Sequence, residues 1–369
     1  MLVRGGIIMP DNRGITITEN FYSIMREEVF HLPKLRSEKD YYGDVQSLFE
    51  EYQNRVMGIL NEDEAAEISD ICTGILESID AYNDGLPHRS YQHFKKRMDI
   101  LNKGGNRLVL FQKSGLLSRY SGDQNDPLHL YRVRAIAENR TYKRAEIFHT
   151  PYHLREKVAT CRYSISGFPS LYMGTSLALC VEESMQKSDR LFIGSRFQLD
   201  RNTSTNGRIN IQVMDLSIKP QDLLNGLDSE GNSSYNRADD TDLESRYLYW
   251  YPLIAASSFI RKSKSDPFSP EYIIPQLLMQ WVREQFVKPG RNKELVGIRY
   301  FSCASRKAAD LGFNYVFPVS GKREESKGNH YCSVLANAVK LTNPIIIEKD
   351  DLDYWQTNLD HSECSRVNE

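Results

Sequence analysis

A chain of 369 residues that is 40% hydrophobic and 26% charged can bury a sizeable core and is long enough for two units. A formal net charge of -2 gives no support to a broad electrostatic hold on nucleic acid or on an anionic membrane and leaves room only for local basic patches, so neither is expected as a partner. The six cysteines (Cys72, Cys161, Cys180, Cys303, Cys332 and Cys364) include no pair separated by two residues, which removes zinc-knuckle and dithiol spacings and predicts free thiols in a reducing cytoplasm.

Residues 1–38 are read as a loosely ordered segment; the apolar part of MLVRGGIIMPDNRG is too short for a secretory signal. From Lys39 the pattern turns helical. Tyr42, Val45, Phe49, Tyr52, Val56 and Leu60 recur at spacings of three and four, the stripe of an amphipathic helix. Ile68, Ile71, Ile75, Leu76 and Ile79 repeat the pattern after the acidic EDEAAE, which suits a helix N-terminus. Pro87 opens a third helix with His93, Met98 and Leu101, so residues 39–120 form an all-helical module. Its shape resembles HEPN domains, but Arg89 and His93 sit closer together than the arginine and histidine of the HEPN RNase motif.

SGDQNDP (Ser121 to Pro127) reads as a turn-rich linker. Beyond it come short strand candidates at Leu130–Ile136, Leu171–Met173, Leu191–Leu199, Ile209–Met214, Val296–Phe301, Tyr315–Val319 and Ile345–Ile347. Helical segments intervene at Ser176–Gln186, Leu243–Arg261, Glu271–Phe286 and His330–Lys340, with polar loops at Asn202–Gly207 and Asp228–Asp242. Without regular βαβ alternation this is an α+β fold. The most apolar-aromatic stretch, Tyr247 to Ile260, is shorter than the ~20 residues that span a bilayer. A cytoplasmic location is expected.

The chemistry concentrates in RYSISGFPSLYMGTSLALCVEE (Arg162 to Glu183) and in GIRYFS (Gly297 to Ser302). Arg162 offers a planar fork of donors for phosphate or ribose oxygens, and Tyr172 an aromatic face or an orienting phenol. Glu182 and Glu183 point in different directions around one helix, so one of them can face a cleft and stabilise positive charge on a sugar. Ser302 closes a strand, where its side chain can emerge beside them. HEXXH, GXSXG, GXXXXGK[ST] and GXGXXG patterns are absent.

Arg162, Tyr172 ten residues on, Glu183 eleven further and the distant Ser302 together resemble the RES domain family, named for its arginine, glutamate and serine. IFHTP (Ile147 to Pro151) and NHYCSVLANAVKLTNP (Asn329 to Pro344) are similar to its flanking segments, and the resemblance covers residues 128–347, leaving 348–369 as a C-terminal tail. It implies an ADP-ribosyltransferase-like core that consumes NAD+ as substrate, with no further cofactor and no metal. Known members are toxins of toxin–antitoxin pairs that break the nicotinamide–ribose bond with water or phosphate. The resemblance assigns catalysis to Arg162, Tyr172, Glu183 and Ser302, and NAD+ binding to Arg132, Arg162, Tyr172 and Ser302; Arg134 competes with Arg132, and Glu182 with Glu183. The chain departs from the family in having Cys161 before Arg162 and Cys303 after Ser302. Transfer of ADP-ribose to a macromolecule and a non-catalytic interaction role are the alternatives. An antitoxin or regulatory protein and self-association are the partners such an enzyme implies.

Overall fold

The computed structural model describes residues 21–103, 111–113, 128–184, 191–199, 210–225, 243–263, 265–286, 294–319 and 330–367. The linker Ser121–Pro127, the loops Asn202–Gly207 and Asp228–Asp242, and the first twenty residues lie outside the described residues.

Three helices open the described chain: α1 (Tyr41–Val56), α2 (Glu62–Asn83) and α3 (Pro87–Lys103). Each begins where local chemistry dictates. Asp40 accepts the Gly43 N–H at 2.7 Å, Asn61 and Glu64 form a reciprocal capping box, and Pro87 occupies a first-turn position where its missing N–H costs nothing. The apolar stripe of α1 (Val45, Phe49, Tyr52, Val56) is buried, as are Ile68, Ile71, Ile75 and Ile79 of α2. His93 lies on the outside of α3, its Nδ1 3.0 Å from Glu77 Oε2.

Part of the segment 1–38, expected to be loosely ordered, is packed instead. Phe21, Met25, Val29 and Phe30 are 0–2% exposed and join the main core, because their side chains find cover under α1 and the helix α7 described below.

The remainder is one mixed sheet flanked by helices, an α+β arrangement. Its strands are β1 (Phe111–Lys113), β2 (Leu128–Ala135), β3 (Ser170–Gly174), β4 (Leu191–Leu199), β5 (Asn210–Leu216), β6 (Glu294–Phe301), β7 (Phe313–Pro318), β8 (Val339–Leu341) and β9 (Ile345–Glu348). They lie in the order β1-β5-β6-β7-β3-β2-β4-β8, with β9 also on β4; β5 and β6 are parallel and every other pair is antiparallel. The helices among them are α4 (Arg144–Ile147), α5 (Leu177–Ser184), α6 (Pro220–Asn225), α7 (Leu243–Ser257), α8 (Ile273–Phe286), α9 (Ser333–Ala338) and α10 (Leu352–Asp360).

Alternate residues of β2 serve two cores, as the two-residue period of a strand requires. Leu128 and Leu130 belong to the large core, while Tyr131 and Val133 join a smaller one with Leu177, Val181, Phe192, Ile347 and Leu359. The large core runs without interruption from α1–α3 through α7 and α8 to the sheet, and two buried phenols tie the layers. Tyr41 Oη donates to Ala256 O at 2.8 Å, and Tyr52 Oη to Leu248 O at 2.6 Å.

Three further expectations need revision. Within residues 39–120, read as all-helical, Phe111–Lys113 is a strand, because it pairs with β5 at the edge of the sheet. The helix predicted across His330–Lys340 ends at Ala338, because Val339–Leu341 pairs with β4 and that ladder satisfies its backbone. The C-terminal tail carries α10, whose Leu359 is fully buried against the smaller core.

Candidate active site

The turn at residues 161–164, strand β3 and helix α5 are consecutive in the chain and surround one cavity. Cys161 and Ser164 exchange backbone hydrogen bonds at 2.8 and 3.1 Å, and Gln276 Nε2 on α8 donates to Cys161 O at 3.1 Å. After β3, Ser176 Oγ accepts the Leu179 N–H at 3.2 Å and so caps α5. Gly174 is what lets α5 sit close: a Cβ there would lie 2.8 Å from Cys180 Sγ and 3.2 Å from Leu179 Cδ2. The β3–β7–β6 register sets Gly174, Asn314 and Tyr300 side by side. These elements enclose a cavity of about 460 Å³ whose wall includes Arg132, Arg162, Tyr172, Glu183, Arg261 and Asn314.

Glu183 is held by one oxygen. Ser302 Oγ and Asn314 Nδ2 each donate to its Oε1 at 2.6 Å. Both donors are buried, Ser302 at 0% and Asn314 at 6% exposed, while Glu183 itself is exposed. Hydrogen bonds of this kind, to an ionised acceptor, are the strong ones, and two on one oxygen fix the carboxylate plane. Glu182 does not reach the cavity; its nearest polar contact is Ser305 Oγ at 3.5 Å. Ser302 is not part of the cavity wall, so its place is behind Glu183 rather than against a ligand.

Tyr172 is part of the cavity wall, and its hydroxyl is engaged by the turn at residues 161–164. That oxygen accepts the Tyr163 N–H at 3.2 Å and lies 2.5 Å from Ser164 Oγ, and burial pushes the phenol well above its usual range. Its main-chain carbonyl accepts Arg132 Nη1 at 2.7 Å. Burial, with some contribution from Arg134, lowers the Arg132 guanidinium to about 10, which leaves it charged at neutral pH. Arg134 is exposed and lies off the cavity. Arg162 Nη1 and Nη2 donate at 2.9 Å each to Ser257 O and Phe259 O.

The electrostatic balance of the cavity is positive. Arg132, Arg162 and Arg261 line it, and none of the three is ion-paired to a carboxylate among the described residues. Glu183 is the acid in the wall. Cys303 and Cys180 also line it, with their thiols pushed up by burial to about 11 and about 12, so both are protonated at neutral pH.

All five residues singled out from the sequence therefore converge: Arg132, Arg162, Tyr172 and Glu183 on the wall and Ser302 behind it. Two members of the site were missed. Asn314 had a signal, being the polar residue in the otherwise apolar FNYVFP of β7, where a buried amide needs a reason. Arg261 lies in a polar stretch, IRKSKSD, with nothing local to distinguish it from a surface cation.

Over 351 aligned residues the chain is 25% identical to "Putative toxin YopC" of Bacillus subtilis (strain 168), an alignment that covers 94% of this chain and 66% of that protein. No protein-family profile and no solved structure matches the chain. No helix among the described residues is long and apolar enough to cross a membrane. The chain is thus an α+β protein similar along 94% of its length to part of a bacterial protein that carries the name "Putative toxin YopC".

Proposed function

We propose that this chain is an NAD+-degrading enzyme of RES type, on an ADP-ribosyltransferase-like core, that cleaves the bond between nicotinamide and ribose. One observation carries the reading: a single cavity gathers three arginines that have no carboxylate partner among the described residues, an aromatic residue, and one glutamate fixed by two hydrogen bonds. An arginine-rich wall suits the diphosphate of NAD+. The Tyr172 ring offers a flat apolar surface for the nicotinamide riboside end.

As the bond from ribose C1′ to the pyridinium nitrogen lengthens, its electron pair leaves with nicotinamide, which departs neutral. Positive charge then develops on C1′ and the ring oxygen. The Glu183 carboxylate, oriented through Oε1 by Ser302 and Asn314, stabilises that charge and hydrogen-bonds the ribose hydroxyls. Water adds to C1′ and releases a proton, giving ADP-ribose and nicotinamide. Because Glu183 needs no reorganisation, the stabilisation is in place before the bond breaks.

The name of the relative supports a toxin role, in which NAD+ loss harms a cell and an antitoxin-like partner restrains the enzyme. Purified protein incubated with NAD+, with and without inorganic phosphate, tests the reading by chromatography of the products. Free ADP-ribose marks hydrolysis, a phosphorylated ADP-ribose marks phosphorolysis, and label retained on protein or nucleic acid marks transfer. Intact NAD+ under all conditions refutes the proposal.

A further inference from the structure

Arg162 is the arginine that the spacing nominates for substrate phosphates, yet both of its terminal nitrogens are already used. They hold Ser257 O and Phe259 O at 2.9 Å, and the residue is 8% exposed. Those carbonyls belong to the end of α7 and the segment leaving it. Two residues further on stands Arg261, which also lines the cavity.

The two guanidinium groups share one ring. The Arg162 Cζ lies 5.0 Å and the Arg261 Cζ 5.4 Å from the Tyr272 centroid. Arg261 Nη2 donates to Asp266 O at 2.9 Å, while its Nε is buried without a hydrogen-bond partner. The neighbouring acid is occupied: Glu271 pairs with Arg36 and accepts the Lys262 N–H. A buried guanidinium nitrogen without a hydrogen-bond partner is costly unless an anion completes it.

The same segment is held from outside by the N-terminal part of the chain. Ile260 N donates to Lys34 O at 2.8 Å, Lys262 Nζ to Ser37 O at 3.2 Å, and Tyr41 Oη to Ala256 O at 2.8 Å. Residues 256–262 are thus held both by Arg162 and by residues 34–41.

We propose that Arg261 engages the diphosphate of the substrate beside Arg132, whose buried Nε likewise has no partner, and that Arg162 acts as a positioning residue that holds the Arg261 segment in place. This rests on the NAD+ reading above and sharpens it. Residues 34–41 then help to build the substrate site, since the segment they brace carries its anion-binding group.

Calorimetric titration of the full chain with ADP-ribose and with nicotinamide riboside, which lacks the diphosphate, tests this. Arg261→Gln is expected to weaken ADP-ribose about tenfold or more, the loss of a charge-assisted contact, while nicotinamide riboside binding stays within about twofold. Arg261→Lys, which keeps the charge but not the fork, is expected to lie between wild type and Arg261→Gln. Arg162→Lys should weaken ADP-ribose as well. The double variant Arg162→Lys/Arg261→Gln should bind no more weakly than Arg261→Gln alone, because one residue acts through the other. Additive losses refute the positioning role. ADP-ribose binding by Arg261→Gln equal to that of wild type refutes the assignment alone, whereas a wild-type protein that binds neither ligand refutes the NAD+ reading and this assignment together.

Discussion

Replacing Asn314 by leucine removes one of the two donors that hold Glu183 and puts a side chain of similar size in its place. Asn314 Nδ2 lies 2.6 Å from Glu183 Oε1, and Asn314 is 6% exposed, so water does not readily take over the contact. A hydrogen bond to a charged group contributes about 1.5–3 kcal/mol. If the whole of that is felt when charge develops on the ribose, kcat/KM for NAD+ falls roughly 10- to 150-fold. Ser302 still donates at 2.6 Å, so activity drops without vanishing. Asn314→Asp sets a second carboxylate against Glu183 and should lower activity further than the leucine variant does. The assay is the initial rate of nicotinamide release, with thermal unfolding measured on the same samples to separate catalysis from folding. An Asn314→Leu protein with an unchanged melting temperature and a rate within twofold of wild type would refute the role given to this hydrogen bond.

Arg36→Met leaves Glu271 and Asp44, whose side chains are 2% and 6% exposed, without their shared cation, and should lower the unfolding free energy by about 3–5 kcal/mol in urea titrations. A loss below about 1 kcal/mol would contradict the picture of a buried three-residue cluster. Gly297→Ala puts a Cβ 2.6 Å from the Phe317 ring and 2.8 Å from the Val316 carbonyl oxygen, so β6 or β7 must shift, at a cost of about 1–3 kcal/mol; an unchanged melting temperature would show that the strands have slack there. His149 is fully buried, its Nε2 accepting the Cys332 N–H at 2.9 Å and its Nδ1 facing Thr150 O at 2.9 Å, and burial lowers its pKa to about 4. The unfolded chain therefore binds a proton at this residue at higher pH than the folded one. The stability that neutral His149 contributes is complete above about pH 6.5 and is lost as pH falls toward 4, by roughly 3 kcal/mol. His149→Gln should flatten the stability curve across that window, and identical acid limbs for the two proteins would refute the assignment.

The legible parts of this chain are those where local pattern and tertiary environment agree. The stripes of α1 and α2 show in the spacing of Val45, Phe49, Tyr52 and Val56 and of Ile68, Ile71, Ile75 and Ile79, because a helix with one buried face writes its period into the sequence. Strands β2 to β7 were located to within about two residues, since apolar runs bounded by turn residues mark them. Val339 and Lys340 read as the end of the helix predicted across His330–Lys340, and only the pairing of Val339–Leu341 with the remote β4 makes them strand. The packing of Val29 and Phe30 is equally invisible, because part of their cover comes from Tyr251 of α7, more than two hundred positions away. At the site, sequence spacing carried Arg162, Tyr172 and Glu183 as a group. It does not separate Glu182 from Glu183, which differ by one position on a helix; in the structure Glu183 is the one that lines the cavity, held by Ser302 just past β6 and Asn314 of β7. Arg261 escaped notice for the same reason: what sets it apart is a cavity assembled by elements distant in sequence.

The most direct test of the account is nicotinamide release from NAD+ by the purified full-length chain, measured beside a Glu183→Gln variant of equal thermal stability. The account predicts turnover by the wild-type protein and a loss of at least about a hundredfold in the variant, which keeps the shape of the side chain and removes its charge. No release by the wild-type protein, or equal release by both, would contradict it.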